Sequence, residues 1–392
     1  MSGETVLLGG SVAQRPGSGG HTWVFLQYLL GLQRLGLEPV LVDWLEPEMC
    51  RDRRQLAAPS QVEDSWNIAY LADVMGRFGL GDRWAVLHDG GRAVLGMSDT
   101  ALDRAVDRAA ALLNVNGFVQ QERVLERVPL RAYLDIDPGF GQMWRALDLH
   151  DPFAGHDAFV TIGERIGQPG CTIPTNGLDW ITTPQPVVLE EWPVQAAGAP
   201  GAYPGFTSVA SWRGPFAPIE YEGVTYGLRV HEFRRFADLP ARTPERLEVA
   251  LDIHEAETAD LELLHSNGWH LSDPAQEAAD PWAYRDYVQR SKGELMIAKG
   301  MYVASRSGWV SDRSICYLAS GRPVVAQDTG ISDLYPVGEG LLTFDDAEGA
   351  AAALDEVSRD YVRHCSAARA LAKEHFDSSV VLGRLLGKLG IP

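Results

Sequence analysis

The stretch Ser305-Arg306-Ser307-Gly308-Trp309-Val310-Ser311-Asp312-Arg313-Ser314-Ile315-Cys316-Tyr317-Leu318-Ala319-Ser320-Gly321-Arg322-Pro323-Val324-Val325 decides the fold. It opens on a polar turn containing a glycine, residues 306–312. Ser311 and Asp312 are residue types that cap a helix by accepting a first-turn N–H. Ile315, Leu318 and Ala319 follow at i, i+3 and i+4, which makes one apolar face. Gly321 and then Pro323 stop the helix. The pattern predicts a helix over 309–320 and a buried strand over 323–327. The free N–H groups of such a helix, with the dipole behind them, suit a diphosphate. Gly308 lets backbone approach the anion closely. Arg306, Arg313 and Lys299 add positive charge, which Asp312 partly offsets. The anion-binding candidates are therefore Lys299 and Arg306, Ser307, Gly308, Trp309, Val310, Ser311, Asp312 and Arg313. The plainer reading of the same residues is an ordinary capped helix–strand junction. The local density of Ser, Gly and Arg favours a site.

Outward from this segment, strands and helices alternate. Residues 5–10 form an apolar run ending in glycines, 22–35 an almost uncharged helix, and 39–44 (PVLVDW) a second buried strand. Strand–helix–strand alternation implies a parallel sheet with right-handed crossovers. Further units are a helix at 101–112 with a strand end at 113–117, and strands at 131–136 and 157–162. Beyond a Pro/Gly/Ala-rich stretch at 193–206, read as a linker, the alternation resumes. Strands are expected at 206–211, 247–253, 294–298 and 340–344, and a helix or turn at 284–289. Helices are expected at 347–363 and 367–388, the latter broken near Phe376-Asp377-Ser378.

At about 150 residues per domain, 392 residues favour two domains. Lys and Arg number 34 against 53 Asp and Glu, a net charge of −19. So acidic a chain argues against nucleic acid or an anionic membrane surface as partner, because both require basic patches. It does not oppose a small anion held in a local pocket of donors. Cys50, Cys171, Cys316 and Cys365 are widely spaced, with no metal or disulfide pattern. No signal-peptide pattern or apolar run of membrane-spanning length is found, so a reduced, cytoplasmic setting is expected.

Three further constellations stand beside strand ends, where α/β ligand clefts form. Gly17-Ser18-Gly19-Gly20-His21 is a glycine loop before the first helix, with His21 either a general base or a helix cap. Asp135-Ile136-Asp137-Pro138 places two carboxylates two residues apart, on one side of a strand end. An Asp before Pro also makes a simple Asx turn. Ser211, Trp212 and Arg213 end the strand at 206–211, and Arg229 lies just beyond as a possible charged clamp on phosphate. Glu294 and Lys299 are either an internal pair or a ligand contact. The segment 161–192 is too loop-rich to be mere connection and is read as part of the cleft.

Gly321-Arg322-Pro323-Val324-Val325-Ala326, followed by Gly330 and Gly338-Glu339-Gly340-Leu341-Leu342, resembles the C-terminal lobe of GT-B glycosyltransferases. Gly17-Ser18-Gly19-Gly20-His21 resembles the G-x-G-G-H loop of peptidoglycan N-acetylglucosaminyltransferases. The resemblance is good over 306–344 and elsewhere is architectural. It implies an α/β protein with two Rossmann-like lobes whose parallel sheets face a central cleft. Residues 1–200 would be the acceptor lobe, 206–375 the donor lobe, and 376–392 a helix packing back on the first lobe. It implies a hexosyltransferase-like enzyme moving a sugar from a nucleotide-diphosphate-sugar co-substrate to an acceptor hydroxyl, without cofactor or metal. The donor set would be Ser211, Arg213, Arg229, Lys299 and 306–313. Gly19, Gly20 and Asp135 would face the acceptor, and His21 or Asp137 would be the base. One departure stands out: Gly308 and Cys316 occupy positions where retaining relatives carry glutamates. That leaves the stereochemistry open, and with it two alternatives. One is a sugar-nucleotide 2-epimerase of the same fold; the other is a non-catalytic GT-B-like binding protein.

Overall fold

The computed structural model describes residues 3–54, 56–57, 61–194 and 205–391. The linker expected at 193–206 falls mostly outside the described residues. The strands are β1 (Thr5–Gly9), β2 (Glu38–Leu45), β3 (Trp84–His88), β4 (Ala93–Gly96), β5 (Ala109–Val115), β6 (Arg131–Asp135), β7 (Ala158–Thr161) and β8 (Trp180–Thr182), then β9 (Phe206–Ser211), β10 (Ile219–Tyr221), β11 (Val224–Tyr226), β12 (Leu247–Asp252), β13 (His270–Ser272), β14 (Gly293–Met296), β15 (Val324–Gln327) and β16 (Leu341–Phe344).

The first eight strands form one sheet in the order β4-β3-β2-β1-β5-β6-β7-β8, parallel except for β4. Six others form a second, wholly parallel sheet in the order β13-β12-β9-β14-β15-β16, and β10 and β11 pair as a hairpin. In each sheet the order reverses beside the first strand, between β1 and β5 and between β9 and β14. Ligand crevices open at such switch points, beyond the carboxyl ends of the strands.

Continuous apolar runs make the first sheet because both its faces are covered. Leu7, Val40, Val42, Leu87 and Leu112 pack on one face with Leu102 and Val106. Val6, Leu8, Leu41, Val86 and Leu113 pack on the other with Phe25, Leu26 and Leu29 of the helix Gly19–Arg34. The chain then returns across the lobes. Val187 N donates to Phe376 O at 2.7 Å and Ser378 N to Val187 O at 2.9 Å. The last helix, Ser378–Leu389, lies so close to the first that a Cβ at Gly31 would sit 2.5 Å from Leu382.

Several expected boundaries move. The helix placed at 309–320 spans Asp312–Ala319, because Ser311 caps it and Trp309 stays outside, its carbonyl held by Thr329 Oγ1 at 2.7 Å. The helix placed at 101–112 ends at Arg108. Ala109, Ala111, Leu112 and Leu113 pair with β1 instead, so sheet pairing overrides the helix preference of Ala and Leu. The structure adds the helix Trp66–Arg77, the β3–β4 pair and the β10–β11 hairpin to the expected elements.

Candidate functional site

A cavity of about 720 Å³ lies between the lobes, at both switch points. Its second-lobe wall begins with the N-terminus of helix Asp312–Ala319, where Ser311 Oγ accepts from Arg313 N at 3.2 Å. Arg313 is buried. Its guanidinium donates to the fully buried Glu294 of β14 and, through Nη1, to Val209 O at 2.8 Å. Burial works against this cation, but the charge of Glu294 overrides it and holds the guanidinium above its ordinary value. Burial pushes the Glu294 carboxyl up, only partly opposed by Arg313. Arg229 begins a neighbouring helix, Arg229–Arg235, and donates to Ile297 O at 3.2 Å. It has no ion pair among the described residues. Burial, reinforced by repulsion from Arg313, lowers it to about 10. Arg213 stands at the mouth, half-exposed and paired with Glu257.

The first lobe reaches this wall through one carboxylate. Lys299 Nζ lies 2.5 Å from Asp137 Oδ1 and 3.1 Å from Tyr302 Oη, and Tyr302 Oη donates to the same Asp137 oxygen at 2.5 Å. Burial raises the Asp137 carboxyl, but the Lys299 charge and the two hydrogen bonds outweigh it and leave it below its ordinary value. The Lys299 ammonium also sits 5.3 Å from the ring centres of Phe140, Phe216 and Tyr302. A cation over aromatic faces is stabilised by their quadrupoles.

Asp135 does not share this position. It is buried, accepting from Gln142 Nε2 at 2.7 Å, Thr161 Oγ1 at 2.8 Å and Asp137 N at 3.1 Å. Burial pushes it up to about 6 despite those bonds. Its work is to hold the loop that presents Asp137. Asp43, pushed up to about 7 by burial, anchors the glycine loop in the same way through Ala13 N at 2.7 Å and Gln14 Nε2 at 2.9 Å. His21 Nε2 lies 3.0 Å from Ser11 Oγ and 3.2 Å from Ser11 O. Burial first, then the nearby Arg15, lowers it to about 3, so the ring is neutral.

Of the residues singled out from sequence, the cavity wall receives Gly19, Gly20, His21, Asp135, Asp137, Ser211, Arg213, Arg229, Lys299, Trp309, Ser311, Asp312 and Arg313. It does not receive Arg306, Ser307, Gly308 or Val310. Arg306 is a left-handed helix cap (φ 48°) whose side chain pairs with Asp333 at 3.0 Å. Ser307 is buried, with its carbonyl taken by Arg165 N at 3.0 Å. Gly308 has φ 73°, and a Cβ there would meet Leu334 at 2.7 Å and Arg165 at 2.8 Å. Trp309 stacks on Tyr302 with ring centres 4.2 Å apart, and Val310 is buried. The turn thus packs on the seam between lobes. A glutamate at 308 has no room, and Cys316 is likewise enclosed, its thiol donating to Asp312 O at 3.2 Å. Gly19 and Gly20 serve a close approach of the lobes. Gly19 N donates to Ala278 O at 2.7 Å, and a Cβ would sit 2.1 Å from Asp280 O. Of the segment 161–192 only Gln185 reaches the wall. Glu294 and Lys299 do not pair with each other; each has its own partner.

Sequence reasoning missed Arg15, Tyr302 and the aromatic residues Tyr133, Trp144 and Phe216. Tyr302 stands three residues after Lys299, and Trp144 four after Phe140. Both are helical spacings that place side chains on one face. Among the described residues no group of three or more His, Cys, Asp or Glu is placed to hold a metal ion. No helix among them is long and apolar enough to cross a membrane.

Two parallel-sheet lobes with a ligand-sized cavity at facing switch points define the GT-B fold, and the chain has that fold. Solved structures similar to it along its whole length carry the same architecture. An alpha-glucosyltransferase in complex with UDP and a 13-mer DNA matches with a TM-score of 0.59 at 10% identity, over 99% of this chain and 100% of that one. Anabaena HepE in complex with UDP and glucose matches with a TM-score of 0.53 at 11% identity, over 99% of each chain. The pneumococcal O-GlcNAc transferase GtfA in complex with UDP and GlcNAc matches with a TM-score of 0.54 at 8% identity, again over 99% of each. No protein-family profile and no curated protein sequence matches the chain.

Proposed function

We propose that the protein is a glycosyltransferase that moves a sugar from a nucleoside-diphosphate sugar to an acceptor hydroxyl, the residues 206–375 serving as donor lobe and 1–200 as acceptor lobe. The observation that carries this is Arg229: a half-buried cation on the cavity wall without an ion-pair partner among the described residues, beside the N-terminus of helix Asp312–Ala319. Such an arrangement is built for an anion that arrives from outside. The donor's diphosphate meets Arg229, the first-turn N–H groups and, once drawn from Asp137, the Lys299 ammonium. These charges stabilise the leaving nucleoside diphosphate without a metal ion. Arg313 positions the helix start through Glu294 rather than reaching the phosphates itself.

On the acceptor side, Asp137 is the base we favour over His21. It is ionised and on the cavity wall, whereas His21 is held neutral with one ring nitrogen against Ser11. Donor binding that pulls Lys299 away frees the carboxylate to take the acceptor's proton. The similar structures bind UDP, and one of them binds DNA. For this chain a net charge of −19 favours a donor nucleotide in a local pocket and a non-nucleic-acid acceptor. Four free thiols fit a cytoplasmic setting.

A thermal-shift series over nucleoside diphosphates tests the donor site. A ligand at 100 times its dissociation constant stabilises by about 2.7 kcal/mol. If none of them raises the melting temperature, the donor assignment fails.

A further inference from the structure

From the first-lobe half of the cavity we infer that the acceptor is a small molecule with a flat apolar body next to its hydroxyl, not a free sugar or a polynucleotide. The inference rests on the glycosyl-transfer reading and specifies its acceptor. This half of the wall is aromatic. Phe140 and Trp144 come from one face of the helix Phe140–Ala146, and Phe216 reaches over from the second lobe. Phe140 and Phe216 have ring centres 4.3 Å apart, and Trp144 meets Phe216 edge-on at 5.4 Å. Phe140 is buried beneath, while Trp144 and Phe216 stay half-exposed on the cavity. Phe118 and Pro152 extend the apolar lining.

The apolar surface continues outside the mouth. The turn after Trp144 folds back on it, with Leu149 N donating to Trp144 O at 2.9 Å. That turn leaves Leu147 and Leu149 exposed, Leu149 at 69%. A polyol or nucleotide acceptor needs uncommitted polar side chains to replace the water it gives up. Here three acceptors of the same wall are engaged within the protein. Asp135 has three donors, Asp137 has Lys299 and Tyr302, and Asn116 Oδ1 accepts from Ile136 N at 3.0 Å. Beside them the wall offers a ligand ring surface, together with the polar groups of Arg15, Tyr133 and His150. The wall ends at Asp137, since Lys299 touches that carboxylate while facing the rings of Phe140 and Phe216. An apolar body stacked on Trp144 thus brings its hydroxyl to Asp137.

The test uses 7-hydroxycoumarin as probe, with the full chain and UDP present, and follows fluorescence anisotropy. Saturable binding is expected, weakened about tenfold or more by Trp144→Ala and by Phe216→Ala. A large excess of glucose or of a 13-mer DNA duplex should leave it bound. The melting temperature and UDP affinity of each variant check its fold, and Phe216→Ala, on a half-exposed loop, carries the test if Trp144→Ala does not fold. Competition by glucose or DNA, or unchanged coumarin affinity in folded variants, overturns the inference. Failure of UDP to bind would instead remove the donor reading beneath it, so the two failures are separable.

Discussion

The two lobes share a strand order around β1 and β9, yet they face the cavity with a different balance of side chains. The second lobe presents a helix N-terminus and the cations Arg229, Lys299 and Arg313. The first presents aromatic rings, a neutral histidine, the carboxylates of Asp135 and Asp137 and the cation Arg15. Topology therefore places the crevice, and the side chains at the strand ends decide what enters each half. The same contrast holds within the second lobe over a few residues. Arg306 points to the seam and pairs with exposed Asp333, while Arg313, two residues beyond the Ser311 cap, is buried against Glu294.

The contrast can be broken most sharply at Asp137. Asp137→Asn should lower turnover by about 10²–10⁴-fold, the range of general-base catalysis, with UDP affinity retained. A variant that turns over normally would move the base elsewhere. The same assay without acceptor separates an epimerase, which would still convert the nucleotide sugar. Next in size is Arg313→Ala, which strands Glu294 without its partner inside the lobe. Breaking a buried pair costs about 3–5 kcal/mol, readable as a loss of stability in urea denaturation.

A smaller effect is expected at the seam. Glu164 of the first lobe accepts from Tyr335 of the second, and burial pushes its carboxyl up to about 7 from an ordinary 4.5. Its folded value lies above its unfolded one, so the folded state binds the proton more tightly. The stability this contributes is complete below pH 4.5 and is lost as pH rises through about 7. The melting temperature should therefore fall between pH 5 and pH 8, and Glu164→Gln should flatten that slope. Asp43, raised to about 7 on its own account, leaves a residual slope of the same sign. Smallest of all is Arg306→Ala. Its exposed ion pair contributes about 1 kcal/mol or less, and UDP affinity should not change. A marked loss of UDP affinity would return 306–308 to the donor site.

The alternation of strands and helices, the Gly321–Pro323 stop, a cap at Ser311 or Asp312 and the placement of Asp137 and Lys299 near strand ends were all legible from residue order. They depend on local periodicity, capping chemistry and the tendency of α/β proteins to bind ligands beyond strand carboxyl ends. Tertiary structure alone decided the rest. Whether Arg306 or Arg313 faces the cavity, which carboxylate of Asp135 and Asp137 crosses the cleft, and how Phe140, Trp144 and Phe216 become one wall are set by contacts between distant segments. Asp137 and Lys299 are 162 residues apart. Their 2.5 Å approach exists only because two separately folded sheets are held face to face, and periodicity within one element carries no information about that approach.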